Sequence, residues 1–154
     1  MKAEDSPGQI AKNPSAWRNF HLLETFEAGI ELKGAEVKSL RAHHASMRDA
    51  FARIDRGQAW LYGLEINPYP QAGHTAPEPK RERRLLLHRA QIHKLESQVA
   101  RKGNTIVATR MYFKGSLVKV EIALATGKQE FDKRETIKKR EEDRHISRIL
   151  KKRG

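Results

Sequence analysis

Alternation of apolar and polar residues is the feature that most restricts what this chain can become. From Leu117 to Ala125 the sequence LVKVEIALA puts Val118, Val120, Ile122 and Leu124 on one side of an extended backbone and turns Lys119 and Glu121 outward. Thr105 to Phe113 has the same period and joins it through Lys114-Gly115-Ser116, a hairpin signature. A second hairpin is expected from Ala50 to Ile54 and Ala59 to Ile66 around Arg56-Gly57-Gln58, with Trp60, Tyr62, Leu64 and Ile66 on one side of its second strand. Phe20, Leu22 and Phe26 share a face opposite His21, Thr25 and Glu27, which predicts a strand ending at a turn over Ala28-Gly29. Ile30 to Ala35 then reads as another strand, with Ile30 and Leu32 inward.

Two segments change period. Glu36 to Ala42 (EVKSLRA) spaces Val37 and Leu40 three apart, as a short helix requires. Leu85 to Arg101 carries a stripe of Leu85, Ile92, Leu95 and Val99 and is followed by Gly103, a helix with its stop signal. Asn67 to Glu82 holds four of the six prolines, which excludes a central strand and predicts an exposed loop. Residues 1–15, with Pro7, Gly8 and Pro14, read as a flexible lead-in.

About six short strands with glycine-marked turns and few helices describe a mainly β protein. Closure of a small antiparallel barrel would bury one face of each strand and remove exposed edges. Short strands with an intervening helix suit the oligonucleotide-binding (OB-fold-like) barrel, and a plain sheet-plus-helix α+β domain is the alternative architecture. The expected organisation is a lead-in over 1–15, a barrel over 16–126 and a basic tail over 127–154.

Charge sets the class of partner. The chain carries a formal net charge of +12. The tail holds eleven Lys and Arg against six Asp and Glu, so residues 1–126 still carry +7. Polyanions gain most from such a surface, because neutralised phosphates release counterions. Three patches are candidates: Lys80, Arg81, Arg83 and Arg84 beside the proline-rich loop, Lys38 with Arg41 on the short helix, and Lys119 on its strand. Trp17 and Phe131 are candidates for stacking on unpaired bases. The tail has too few apolar residues to offset its own ordering entropy, yet Arg134 to Lys152 lacks Gly and Pro. It is either a frayed surface helix or an RNA-binding arm that folds on its partner.

Other classes have less support. The absence of cysteine excludes disulfides and thiolate zinc sites. No signal-peptide core and no run of about 20 apolar residues occurs, so a soluble, cytoplasmic protein without a membrane partner is expected. Seven scattered histidines, with His43-His44 in a predicted loop, do not form a metal or catalytic set, and no phosphate-binding glycine loop is present. Neither enzymatic activity nor a cofactor is expected. An RNA-processing hydrolase using His88 or His145 is the rival from that class.

Four stretches in order now identify a resemblance: GIELKGAEVKSLRA at 29–42, KRERRLLLH at 80–88, YFKGSLVKVEIALATGK at 112–128 and DKRETIKKR at 132–140. They are similar to the SsrA-binding protein (small protein B) family, from about Ile10 to the C-terminus. The resemblance implies an OB-type barrel that grips the tRNA-like domain of transfer-messenger RNA and delivers it to stalled ribosomes for trans-translation. It implies RNA contacts at Asn13, Glu27, Leu86 and Lys119. It further implies a tail, disordered alone, that becomes helical in the empty mRNA channel beside the small-subunit decoding centre. Phe131 would stack there, Lys128, Asp132, Lys133, Arg134, Lys138, Lys139 and Arg140 would form its ribosome-binding stretch, and Ile149-Leu150 would be its distal apolar pair. A monomer is expected. Two places depart from the family: Pro14, Ser15, Ala16, Trp17 and Arg18 replace a basic stretch after Asn13, and Gln129 follows Gly127-Lys128 where a second Lys is usual. A ribosomal or translation-factor barrel that binds ribosomal RNA alone is the alternative function.

Overall fold

The longest alternating runs become the longest strands, and they hold the rest of the chain around them. The computed structural model describes residues 8–68, 76–128, 134 and 137–146. In chain order the elements are β1 (Gln9–Lys12), α1 (Pro14–Asn19), β2 (Phe20–Ile30), α2 (Gly34–Arg41), β3 (Ala45–Ser46), β4 (Phe51–Asp55), β5 (Gln58–Tyr62), β6 (Glu65–Ile66), β7 (Arg83–Leu86), α3 (Arg89–Val99), β8 (Asn104–Lys114) and β9 (Leu117–Gly127). Residues 137–146 are also helical.

Six strands close into a ring in the order β8, β4, β5, β7, β2, β9, with β9 returning to β8. All of these pairings are antiparallel. The barrel expected from alternation is therefore present. Strand β1 extends the same edge of β8 beyond β4, pairing Lys12 with Arg110, while β3 and β6 form a separate two-stranded sheet. Inside the ring, Phe26, Ala52, Leu61, Leu85, Ile106, Met111, Val120 and Ile122 meet Leu40 of α2 and Leu95 of α3 in one core. A second, smaller cluster lies outside the barrel wall. There Ala16 and Trp17 of α1 cover Val107, Ala123 and Ala125, whose small side chains let the helix approach.

Several expectations are corrected by these contacts. The lead-in does not extend to residue 15, because Gln9–Lys12 finds the open edge of β8 and Pro14 begins a helix. Trp17 is buried and is not a stacking surface. Ala28-Gly29 is no turn: β2 runs through it, with Gly29 facing Lys119 on one side and Leu86 on the other. Glycine here marks a close approach between strands. Leu85 belongs to β7, where it pairs with Ala59, and the helix starts only after His88. A run of three leucines fits either period, and the free edge of β5 decides it. Trp60 and Tyr62 face outward opposite Arg53 and Phe51, while Leu64 and Ile66 turn inward. The face changes at Gly63, whose φ of +82° ends β5 and lets the chain pass 3.1 Å from the Ala50 Cα, measured from where a β-carbon would stand.

The predicted basic cluster contains the strongest internal constraint. Arg83 is 0% exposed and Glu36 of α2 lies 3% exposed beside it. Arg83 Nε and Nη2 donate to Glu36 Oε2 at 2.8 and 2.6 Å. Its remaining donors reach Leu64 O at 2.8 Å, Arg81 O at 3.0 Å and Pro79 O at 3.0 Å. Five N–H groups are thus used, the full capacity of a guanidinium. Arg81 also donates from Nε to Glu36 Oε2 at 3.1 Å. Burial alone would raise the Glu36 carboxyl, but hydrogen bonds from Arg81, the Lys33 N–H and Arg83, with the Arg83 charge, hold it below its ordinary 4.5.

Breaking one side of a buried pair strands the other charge, so Arg83→Met should cost about 3–5 kcal/mol by urea unfolding. Lys80→Ala, which removes a surface pair of 3.8 Å with Glu65, should stay within about 1 kcal/mol. Since the Glu36 value is depressed, its contribution is complete above pH 4.5 and is lost as pH falls through the lower folded-state value. Glu36→Gln should therefore flatten that part of the acid-unfolding profile.

Candidate nucleic-acid interface

Strand parity turns every second residue of β2, β7 and β9 away from the core, and these outward residues meet in one groove. Glu27 and Gly29 come from β2, Arg84 and Leu86 from β7, and Lys119 from β9. Gln58 of β5 and, after β7, His88 and Gln91 complete a cavity of about 450 Å³. The register explains the convergence. Gly29 pairs with Lys119 on one side and Leu86 on the other, while Glu27 pairs with Glu121. A β-carbon at Gly29 would stand 3.2 Å from the Leu86 Cβ, so glycine keeps the floor open. Leu86 is 46% exposed although its neighbour Leu85 is 1% exposed. An apolar side chain left in solvent beside a cation and a carboxylate suits an unpaired base flanked by its sugar and phosphate.

Glu27 is held in place by its neighbours. It accepts hydrogen bonds from the Tyr112 hydroxyl and, at 3.1 Å, from Lys114 Nζ. Those two hydrogen bonds, Tyr112 first, outweigh slight burial and keep its carboxyl below 4.5. Burial, and then the Glu27 hydrogen bond and charge, push the Tyr112 phenol above its ordinary 10.0, so it remains a donor. An ionised Glu27 accepts only, and its remaining lone pairs can take an amino group or a ribose hydroxyl.

The other sequence candidates are divided by the structure. Arg84 lines the groove and sits 3.8 Å from Glu31. Lys80 is a surface cation paired with Glu65, and Arg81 is turned to Glu36. Arg83 is withdrawn from the contact set by its burial, and Asn13, 2% exposed, is likewise interior. Lys38 and Arg41 lie in the last turn of α2, outside the groove. Lys128 is anchored at the barrel, donating from Nζ to Trp17 O at 3.0 Å and from its N–H to Asn19 O at 2.8 Å. Arg134, Lys138 and Lys139 are exposed and Arg140 is half-buried. Phe131, Asp132, Lys133, Ile149 and Leu150 lie outside the described residues.

Tyr112, Lys114, Gln58 and Gln91 are groove or bracing residues that sequence reasoning does not single out, and His88, offered there only for a hydrolase, lines the groove. Tyr112 was within reach, because counting back across the Lys114-to-Leu117 hairpin pairs it with Lys119. The two glutamines carry no such signal. Among the described residues, no three His, Cys, Asp or Glu gather to hold a metal ion, and no helix is long and apolar enough to cross a membrane. In an NMR titration the Glu27 carboxyl should have its midpoint below 4.5, and Tyr112→Phe should raise it. An unchanged midpoint would show that the phenol does not hold the carboxylate.

Comparison with known proteins agrees with this fold. A family profile described as SmpB protein matches residues 10–152. The SsrA-binding protein of Carboxydothermus hydrogenoformans is 46% identical over 142 residues, covering 92% of this chain and 95% of the relative. That of Trichodesmium erythraeum is 47% identical over 154 residues, covering 98% and 99%. A solved structure described as "tmRNA-SmpB: a journey to the center of the bacterial ribosome" superposes with a TM-score of 0.65 at 39% identity, covering 82% of this chain and 92% of the other. A barrel of this topology, matched nearly end to end by sequence, belongs to the SmpB family of SsrA-binding proteins.

Proposed function

We propose that this protein is an RNA-binding adaptor that grips the tRNA-like domain of transfer-messenger RNA and brings it to stalled ribosomes for trans-translation. The observation that carries the reading is the meeting of Glu27, Leu86 and Lys119, from three different strands, in one open groove. Each offers a different contact: an acceptor for amino or hydroxyl groups, an apolar surface for a base, and a cation for phosphate. The relatives are SsrA-binding proteins, and the structural neighbour is a tmRNA–SmpB assembly of the bacterial ribosome, which favours transfer-messenger RNA over ribosomal RNA alone.

The tail has a separate task in this reading. Helical conformation over 137–146 with Lys138 and Lys139 exposed is compatible with an arm whose cations follow phosphates along the mRNA channel. Messenger RNA in that channel would compete for the same space and charge, so the tail would seat only where the message has ended.

Filter binding at moderate salt tests the first part. Transfer-messenger RNA should bind more tightly than a random RNA of equal length, and equal binding would reject the reading. Lys119→Ala and Glu27→Ala should each weaken binding about tenfold, the scale of one charge-assisted hydrogen bond. For the tail, truncation after Lys128 should leave RNA affinity within about twofold and abolish peptide tagging on stalled ribosomes. Loss of both together would contradict the separation of tasks.

A further inference from the structure

Asn13 has no capacity left for a ligand. A side-chain amide has two donors and about two acceptor positions. Asn13 Nδ2 donates to Ala108 O at 2.8 Å and Ala50 O at 3.4 Å. Its Oδ1 accepts from Ser15 Oγ at 2.6 Å and from the Asp49 N–H at 3.3 Å. Ser15 Oγ also lies 3.2 Å from Asp49 Oδ1. The amide is buried between β1, β8 and the turn at Met47–Asp49, and every polar atom on it is engaged. Two of these four bonds, from the Asp49 N–H and to the Ala50 carbonyl, brace a turn whose Asp49 has a φ of 61°, and the other two tie the amide to β8 and α1.

That turn forms one wall of a second groove, about 620 Å³, which shares no lining residue with the first. Lys12, Arg18 and Arg48 are exposed around it, against the single carboxylate of Asp49. Three cations and one anion along an open trough match a run of phosphodiesters better than an apolar or cationic ligand.

We infer that Asn13 is a positioning residue that never touches RNA: it locks the Met47–Asp49 turn so that Arg48, with Lys12 and Arg18, takes the phosphate backbone of the bound RNA in this second groove. The inference rests on the proposed RNA-binding function and adds a phosphate-binding site to it. The base-reading groove and the phosphate groove are then two grips on one RNA.

Binding of the tRNA-like domain of transfer-messenger RNA, measured at several salt concentrations with the full chain, tests this. Arg48→Gln should weaken binding about fivefold and lower the slope of log affinity against log salt by roughly one. Asn13→Ala should do the same, and the double variant should bind no more weakly than either single one. A residue with only a general structural role would lower thermal stability and leave the salt slope of the folded protein unchanged. Should Asn13→Ala not fold by circular dichroism, Ser15→Ala decides, since it removes the hydroxyl donor and spares the bonds to Ala50 and Ala108. Its weakening should vanish in the Arg48→Gln background. Multiplicative losses for Asn13, or for Ser15 in its stead, and Arg48, or wild-type affinity and slope in Arg48→Gln, would overturn the inference. Lys119→Ala separates the failures. If it weakens binding while Arg48→Gln does not, only the second groove is wrong; if neither weakens binding, the RNA-binding reading itself falls.

Discussion

The Glu36–Arg83 pair is the constraint on which the interface depends. Its hydrogen bonds join α2, the end of the proline-rich loop at Pro79, the chain at Leu64 and the start of β7. A buried guanidinium with every donor used has one acceptable position. In β7 the burial alternates along Arg83, Arg84, Leu85 and Leu86, so fixing Arg83 inward fixes Arg84 and Leu86 outward. A one-residue slip would bury the groove's cation and leucine and expose the paired arginine, which is energetically prohibitive. Charge inside the protein thus sets which residues of β7 face outward.

Closure of the barrel and openness of the groove have the same origin. Each ring strand gives its inward residues to one core, and at Gly29 β2 is flanked by β9 on one edge and β7 on the other. At that glycine the outer surface lacks a side chain and becomes concave. Glu27, braced by Tyr112 and Lys114, stands at one rim of this hollow. The strand residues of the groove are therefore ladder residues held by main-chain hydrogen bonds, which limits the ordering entropy a ligand bound there would cost.

Sequence periodicity revealed most of the barrel, because alternation reports which face is buried. The β8–β9 hairpin and the outward placement of Lys119 and Glu27 were legible for that reason. The failures share a cause: they concern residues whose local pattern fits two environments. Leu85 served a helical stripe as well as a strand, and Gly29 served a turn as well as a crowded strand. Arg83 is indistinguishable in sequence from Arg84, since only tertiary contact with Glu36 separates the buried cation from the exposed one. Asn13 was singled out through family resemblance, and nothing in its neighbours disclosed that its amide would be enclosed and saturated.

The clasp at Lys128 has a mechanical consequence. Its N–H continues the β2–β9 ladder to Asn19 O, and its ammonium ties to Trp17 O on α1, whose Trp17 ring is seated on Ala123 and Ala125. Tension along the C-terminal segment therefore loads α1 and the barrel wall together in shear and does not peel β9 away from its end. Chain leaving residue 128 can then be pulled without unravelling the end of the barrel to which it is joined.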